Sequence, residues 1–218
     1  MSLIDVRDRA LILTGFICAS RRRNVSEFDV EDIQLSKAGM IVTFWREKNN
    51  QYGRKSRKPD VARIGGRFDP VVAMEAWIDA FEKALGRPLR HDDPLFCQID
   101  RHGRIVALTP GQAEDRGGPH GYGPATHGGT VPARLSRPAI NAITKSRAGK
   151  AGLPGEEFSS HCMRRGLINT LKKTRPREYI AKRAGFRHLD SMDPYYDDDE
   201  AFESDIGGDA GLAEDHRA

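Results

Sequence analysis

Apolar positions recur at helical spacing over residues 3–19, where Leu3, Val6, Ala10, Leu13 and Ile17 share a face, so the chain opens with a buried amphipathic helix. Arg21-Arg22-Arg23-Asn24 follows, and Val25 to Phe28 reads as a short helical turn before Asp29. The period then changes. Ile33–Leu35, Ile41–Trp45 and Val61–Ile64 are brief apolar runs between polar segments, which predicts three short strands. Lys37-Ala38-Gly39 makes the first turn between them, and the second connection, Lys48 to Asp60, is long, polar and basic. The expected arrangement is an antiparallel sheet with a projecting basic hairpin.

Helical spacing returns at Asp69-Pro70, a cap followed by proline in the first turn. Val72, Ala76, Ile78 and Phe81 carry the helix to Leu85, and Gly86 stops it. Pro94 to Cys97 is predicted to be extended. Residues 101–134 are rich in Gly, Pro and His without any period, which predicts a mobile loop. Three helices follow by pattern, at about 136–150, 160–173 and 176–185, and a last short segment holds Met192, Tyr195 and Tyr196. The order predicts an α+β fold, mostly helical, with a small three-stranded antiparallel sheet packed against a helical core.

Composition narrows the class. The length of 218 residues suits one large domain or one and a half ordinary ones, and 38% hydrophobic residues are enough for a real core. The longest apolar stretch, Ala10 to Ala19, is shorter than the ~20 residues that span a bilayer. It also follows Asp5, Arg7, Asp8 and Arg9, the wrong flank for a signal peptide. Cys18, Cys97 and Cys162 cannot all pair and lack metal-ligand spacing, so the sequence predicts a cytoplasmic protein with no metal site and no membrane association. The net charge of +4 conceals an asymmetry. From Asp190 onward there are eleven acids and one base, while the preceding residues carry 34 basic and 20 acidic side chains, a net of +14. A body so charged attracts polyanions by counterion release, which points to DNA or RNA. The acidic end is read as a solvated tail or a competitor for the basic body.

Ser160-His161-Cys162-Met163-Arg164-Arg165-Gly166 is the most informative piece. On a helix His161 and Arg164 share a face, so an imidazole and a guanidinium can address one anion. The planar fork of arginine matches phosphate oxygens two at a time. Arg21 follows the first buried helix, Lys48 opens the basic hairpin, and Tyr195 stands ten residues after Gly185.

With these four pieces in this order, the chain resembles the catalytic domain of the tyrosine recombinase (phage integrase) family. In that family an arginine lies eight residues before the acidic or polar position that opens the first strand; Asp29 selects Arg21 over its two neighbours. The family's lysine sits on the second hairpin, as Lys48 does; its H-x-x-R box fits His161 and Arg164; its nucleophile lies ten residues after a glycine, as Tyr195 does. The resemblance covers residues 3–200. It implies an enzyme that cuts and rejoins duplex DNA through a 3′-phosphotyrosyl link, with no cofactor. It assigns Arg21 and Arg164 to the transition-state charge, Lys48 to protonation of the leaving 5′-oxygen, and His161 to a proton acceptor or phosphate donor.

The chain departs from the family at several positions. Phe186 follows the glycine where the family has His or Trp, with His188 as a substitute two residues on. Asn24 replaces the usual acid of the first box. Pro194 precedes Tyr195 and disfavours helix at Asp193, which puts the nucleophile on a turn or a fresh helix start, and Tyr196 is an adjacent rival. Arg54, Lys55, Arg57 and Lys58 on the hairpin, and Arg137, Lys145, Arg147 and Lys150 on the 136–150 helix, are candidate phosphate contacts. The domain is expected over 1–199 with an acidic tail over 200–218. The N-terminal clamp half of the family is not in this sequence, so the chain is an excised domain or a short member. A monomer in solution, a tetramer on paired DNA sites and a nucleoid-associated location complete the expectation. Two alternatives remain: a DNA-binding relative that no longer cuts, and a topoisomerase-like relaxing activity.

Overall fold

The computed structural model describes residues 1–45, 56–109 and 130–196. Helix α1 (Leu3–Ile17) begins at a capping box in which the Ser2 hydroxyl accepts from the Asp5 amide and the Asp5 carboxylate accepts from the Ser2 amide. Its end is unusual. No glycine is present, and buried Ala19 takes φ 48°, the left-handed region, to turn the chain. A short helix α2 (Arg22–Glu27) follows, with Arg21 as its extended N-cap residue. A 3-10 turn, Val30–Asp32, leads into the sheet.

The sheet has the expected composition and order. Strands β1 (Ile33–Leu35), β2 (Gly39–Val42) and β3 (Asp60–Ala62) pair antiparallel in sequence order. Ile33 lies opposite Val42, and Met40 opposite Val61. Met40, Val42, Phe44 and Val61 point into the core, while Trp45 is exposed, as alternation on one strand requires. Phe44 is thereby the core member of the Phe44/Trp45 pair. Gly39 has no room for a side chain, because a Cβ there would stand 2.1 Å from the Val61 carbonyl oxygen.

Helix α3 (Pro70–Leu85) has the boundaries its signals predict. The Asp69 carboxylate accepts from the Val71 and Val72 amides at one end, and Gly86, at φ 67°, ends the helix. Trp77 stacks on Phe81 at 4.7 Å and donates its indole N–H to the Leu95 carbonyl. Helix α1 packs along α3 over the main core.

The described ends of the segment 101–134, residues 101–109 and 130–134, are paired with each other and with the core. Strand β4 (Ala107–Leu108) pairs antiparallel with β5 (Val131–Pro132), and isolated bridges join Ile99 to Ile105 and Cys97 to Arg134. The ribbon starts at a tight turn in which the Asp100 carboxylate accepts from the His102 and Arg104 amides and Gly103 adopts φ 80°. Two-residue strands carry no readable period, which is why the pattern was silent. Residues 110–129 lie outside the described ones.

The rest is helical: α4 (Arg137–Lys150), α5 (Ser160–Leu171) and α6 (Arg177–Ala184), then a 3-10 segment Leu189–Tyr195 that contains Pro194. Tyr195 thus ends a tight 3-10 turn, one of the two settings expected from the proline. Helix α5 crosses α1 closely at glycines: a Cβ on Gly15 would stand 2.7 Å from the Met163 sulfur, and one on Gly166 3.1 Å from the Phe16 ring. A second core, of Ala19, Leu167, Ile168, Ile180, Ala181, Ala184 and Met192, sits under α5 and α6. Buried Arg164 lies on α5, between its contributors Met163 to the first core and Leu167 to the second. No helix among the described residues is long and apolar enough to cross a membrane.

Candidate active site

The site forms where three chain reversals meet. The first is the turn after α1, which carries Ala19, Ser20 and Arg21. The second is the N-terminus of α5, where the Ser159 hydroxyl accepts from the His161 amide. The third is the run from Gly185 to Tyr195 after α6. Arg164 is the point they share. Its side chain is 1% exposed, and Nη1 donates to the carbonyls of Ala19 at 2.9 Å and Ala184 at 2.5 Å. Its Nη2 is buried without a hydrogen-bond partner among the described residues. A donor in that condition is costly unless a ligand completes it.

Electrostatics ties the other candidates to this guanidinium. Burial first, and then the charge of Arg21, lowers Arg164 to about 10, while a charge interaction and a side-chain hydrogen-bond contribution from Tyr195 oppose the shift. Arg164 therefore stays cationic at neutral pH. His161 is held below its usual value, first by burial and then by the charges of Arg164, Arg21 and Arg165. Arg21, His161 and Tyr195 thus all lie within interaction range of Arg164. A cleft of about 450 Å³ is lined by Arg21, His161, Arg22, Arg23, Arg137 and Asn141; Arg164 and Tyr195 are not among its lining residues. Such a wall of guanidiniums around an imidazole suits a phosphate anion.

The depressed His161 makes a prediction about pH. A base whose folded value lies below its unfolded value stabilises the fold fully above about 6.5, the unfolded value, and that contribution is lost as pH falls through the folded value. His161→Gln is therefore expected to lose less thermal stability than the parent between pH 7 and pH 5. Parallel melting profiles for the two proteins would contradict this.

Phe186 occupies the site rather than leaving it. Its ring lies 4.3 Å from Arg164 Cζ and makes an edge-on contact with the Tyr195 ring at 5.8 Å. It packs both side chains but has no hydrogen to give an anion. His188 is exposed, at the N-cap of the last 3-10 segment. The Tyr196 ring lies by Arg177 and Lys172, at 5.1 and 5.9 Å. Lys48, Arg54 and Lys55 lie outside the described residues.

The basic candidates on the periphery separate. Lys58 is exposed. Arg137 lines the cleft while pairing with Glu27 at 3.0 Å, and Lys145 pairs with Glu156 at 2.6 Å on the surface. Arg147 is engaged within the fold: it bridges Asp5 at 2.6 Å and buried Asp8 at 2.7 Å, tying α4 to α1. Arg57 turns inward, its guanidinium 3.8 Å from the Phe44 ring centroid. Asn141 and Ser159 were not singled out in the sequence; Ser159, a capping residue directly before the H-x-x-R helix, was the signal available. The buried thiols are not nucleophiles, since burial pushes Cys18 to about 11 and Cys97 to about 12.

No family model matches the sequence. An integrase/recombinase from Selenomonas ruminantium, described as a XerD homolog, is 25% identical over 168 residues, covering 77% of this chain and 40% of that protein. The XerH site-specific recombinase, solved in a post-cleavage complex with a palindromic difH substrate, has a TM-score of 0.61 at 14% identity, covering 97% of this chain and 47% of that one. The XerA recombinase has a TM-score of 0.58 at 13% identity, covering 95% of this chain and 60% of that one. The chain thus spans 40% of the curated relative and less than half of the XerH chain. Its helices and its three-stranded antiparallel sheet have the fold of a tyrosine recombinase catalytic domain, and that is the fold this chain has.

Proposed function

We propose that this chain breaks and rejoins strands of duplex DNA through a covalent phosphotyrosyl intermediate. The observation that carries the reading is the convergence of Arg21, His161 and Tyr195 on one buried guanidinium with an unused donor. In the reaction the Tyr195 oxygen, freed of its proton, attacks the scissile phosphorus. The bond to the 5′-oxygen breaks, a 3′-phosphotyrosyl bond forms, and the departing oxygen takes a proton to become a 5′-hydroxyl. The family resemblance gives that proton to Lys48. Attack by the 5′-hydroxyl reverses each step, so the energy of the broken bond is conserved in the protein–DNA link. Negative charge grows on the two non-bridging oxygens in the five-coordinate transition state, where fixed guanidiniums are most effective. Arg21 and Arg164 take that role. Neutral His161, cationic on proton uptake, accepts or returns a proton beside them.

The natural partner is duplex DNA, held by the basic body, with four copies acting on paired sites and single copies in free solution. A duplex nicked just beyond the cleavage position tests the reading, because the short 5′-fragment diffuses away and traps the intermediate. The expected result is a protein–DNA adduct that survives denaturation. Phe186, which cannot hydrogen-bond to a phosphate, favours a second reading, a relative that binds DNA without cutting it. Salt-dependent binding with no adduct on a verified site would select that second reading. Adduct formation together with relaxation of supercoiled plasmid, in the absence of paired sites, would select a topoisomerase-like activity.

A further inference from the structure

We infer that Arg57 is a positioning residue: paired with Arg164, it staples the turn after α1 to the turn after α6 and thereby aims Arg164 at the scissile phosphate. The inference rests on the strand-cleavage reading above. Arg57 sits opposite Phe44, whose amide donates to the Arg57 carbonyl at 2.8 Å. Its guanidinium lies over the Phe44 ring and reaches away from solvent. Nη1 donates to the carbonyl of Cys18 at 3.3 Å and to that of Arg183 at 2.9 Å. One residue further along each of the same two turns, Arg164 Nη1 donates to Ala19 and Ala184. Two side chains from different elements therefore bind consecutive carbonyls at the C-terminal ends of α1 and α6.

Each turn is closed by its own backbone hydrogen bonds, Ala19 and Ser20 donating to Phe16 and Gly15, and Gly185 and Phe186 to Lys182 and Ala181, but these bonds are local and do not join one turn to the other. Ala19 sits at φ 48° without being glycine, a conformation that costs about 1–2 kcal/mol and persists only where its surroundings impose it. Helix α6 ends at Gly185 with φ 72°. Arg183 returns the tie, donating to the Asp60 carbonyl on β3 at 2.6 Å. With Arg57 removed, the Cys18 and Arg183 carbonyls lose a shared donor, the junction rests on Arg164 Nη1 and the apolar packing around Ala19 and Ala184, and the carbonyls that fix Arg164 shift. Nη2, the donor left for a phosphate oxygen, loses its aim.

Two substrates separate aiming from general damage. In one the scissile group is an ordinary phosphodiester; in the other a methyl group replaces one non-bridging oxygen, so the group is neutral. A charge clamp matters for the first and little for the second. In single-turnover adduct formation, Arg57→Ala is expected to fall about 30- to 100-fold below wild type on the phosphodiester, the usual scale for a small misplacement. On the methylphosphonate it is expected within about 3-fold of wild type, and Arg164→Lys to show the same contrast. Arg57→Lys keeps the charge but not the span between two carbonyls; it carries the same comparison where the alanine variant does not fold. Equal losses on both substrates, or none on either, would overturn the inference. So would recovery only on a duplex with sulfur at the 5′-bridging position, which would place Arg57 on the leaving-group side. Wild-type protein giving no adduct on any substrate would overturn the cleavage reading itself, and this inference with it.

Discussion

Tyr195→Phe is expected to form no covalent adduct at all, while Tyr196→Phe reacts within about 3-fold of wild type, since it leaves the reacting groups untouched. The two tyrosines are adjacent, yet their surroundings differ. The Tyr195 ring packs edge-on against Phe186, and its hydroxyl contributes to the environment of Arg164. Removing that single oxygen leaves the ring contacts intact, so the fold is preserved and only the nucleophile is lost. The Tyr196 ring faces Arg177 and Lys172, and its hydroxyl is buried without a hydrogen-bond partner among the described residues. Taking away an unsatisfied buried hydroxyl costs little and can stabilise by about 1 kcal/mol. Thermal melting should therefore show Tyr196→Phe at or above the parent. Adduct formation by Tyr195→Phe would move the nucleophile elsewhere, and loss of adduct in Tyr196→Phe alone would reverse the assignment.

Much of this arrangement was legible in the sequence because it is written in local signals. Asp69-Pro70 and Gly86 bracket α3 at both ends, since a carboxylate cap and a left-handed glycine act within a few residues. The apolar runs Ile33–Leu35, Ile41–Trp45 and Val61–Ile64 place the sheet for the same reason, although the second strand spans Gly39–Val42 and takes in Gly39, which the pattern assigns to the turn. His161 and Arg164 share a helix face by geometry alone. What was not legible depends on partners far along the chain. Arg147 on α4 looks like any solvated cation until Asp5 and Asp8, some 140 residues away in sequence, are folded against it. The inward turn of Arg57 needs two carbonyls from helix ends that no periodicity reports. The β4–β5 ribbon is too short to carry a period. Lys48 lies outside the described residues and stands on the resemblance.

The meeting of chemistry and architecture in one side chain makes Arg164 the second large test. Arg164→Ala is expected to lower single-turnover cleavage about 10³-fold, the upper end of what one transition-state donor supplies. It is also expected to destabilise the domain by about 2–5 kcal/mol, because the Ala19 and Ala184 carbonyls lose their donor inside a sealed junction. The two effects can be told apart. Arg164→Lys retains a positive charge and one donor direction, so it should recover a good part of the stability. A lysine cannot hold two turn carbonyls and still offer a second, rigidly directed donor to a phosphate oxygen, so the rate should stay at least about 30-fold down. Melting temperature and cleavage rate must therefore uncouple in the lysine variant, with nonspecific DNA affinity close to wild type at fixed salt. If the rate instead returns in step with stability, Arg164 is a structural staple only, and the charge clamp must be sought among Arg21, Arg22 and Arg23 at the mouth of the cleft.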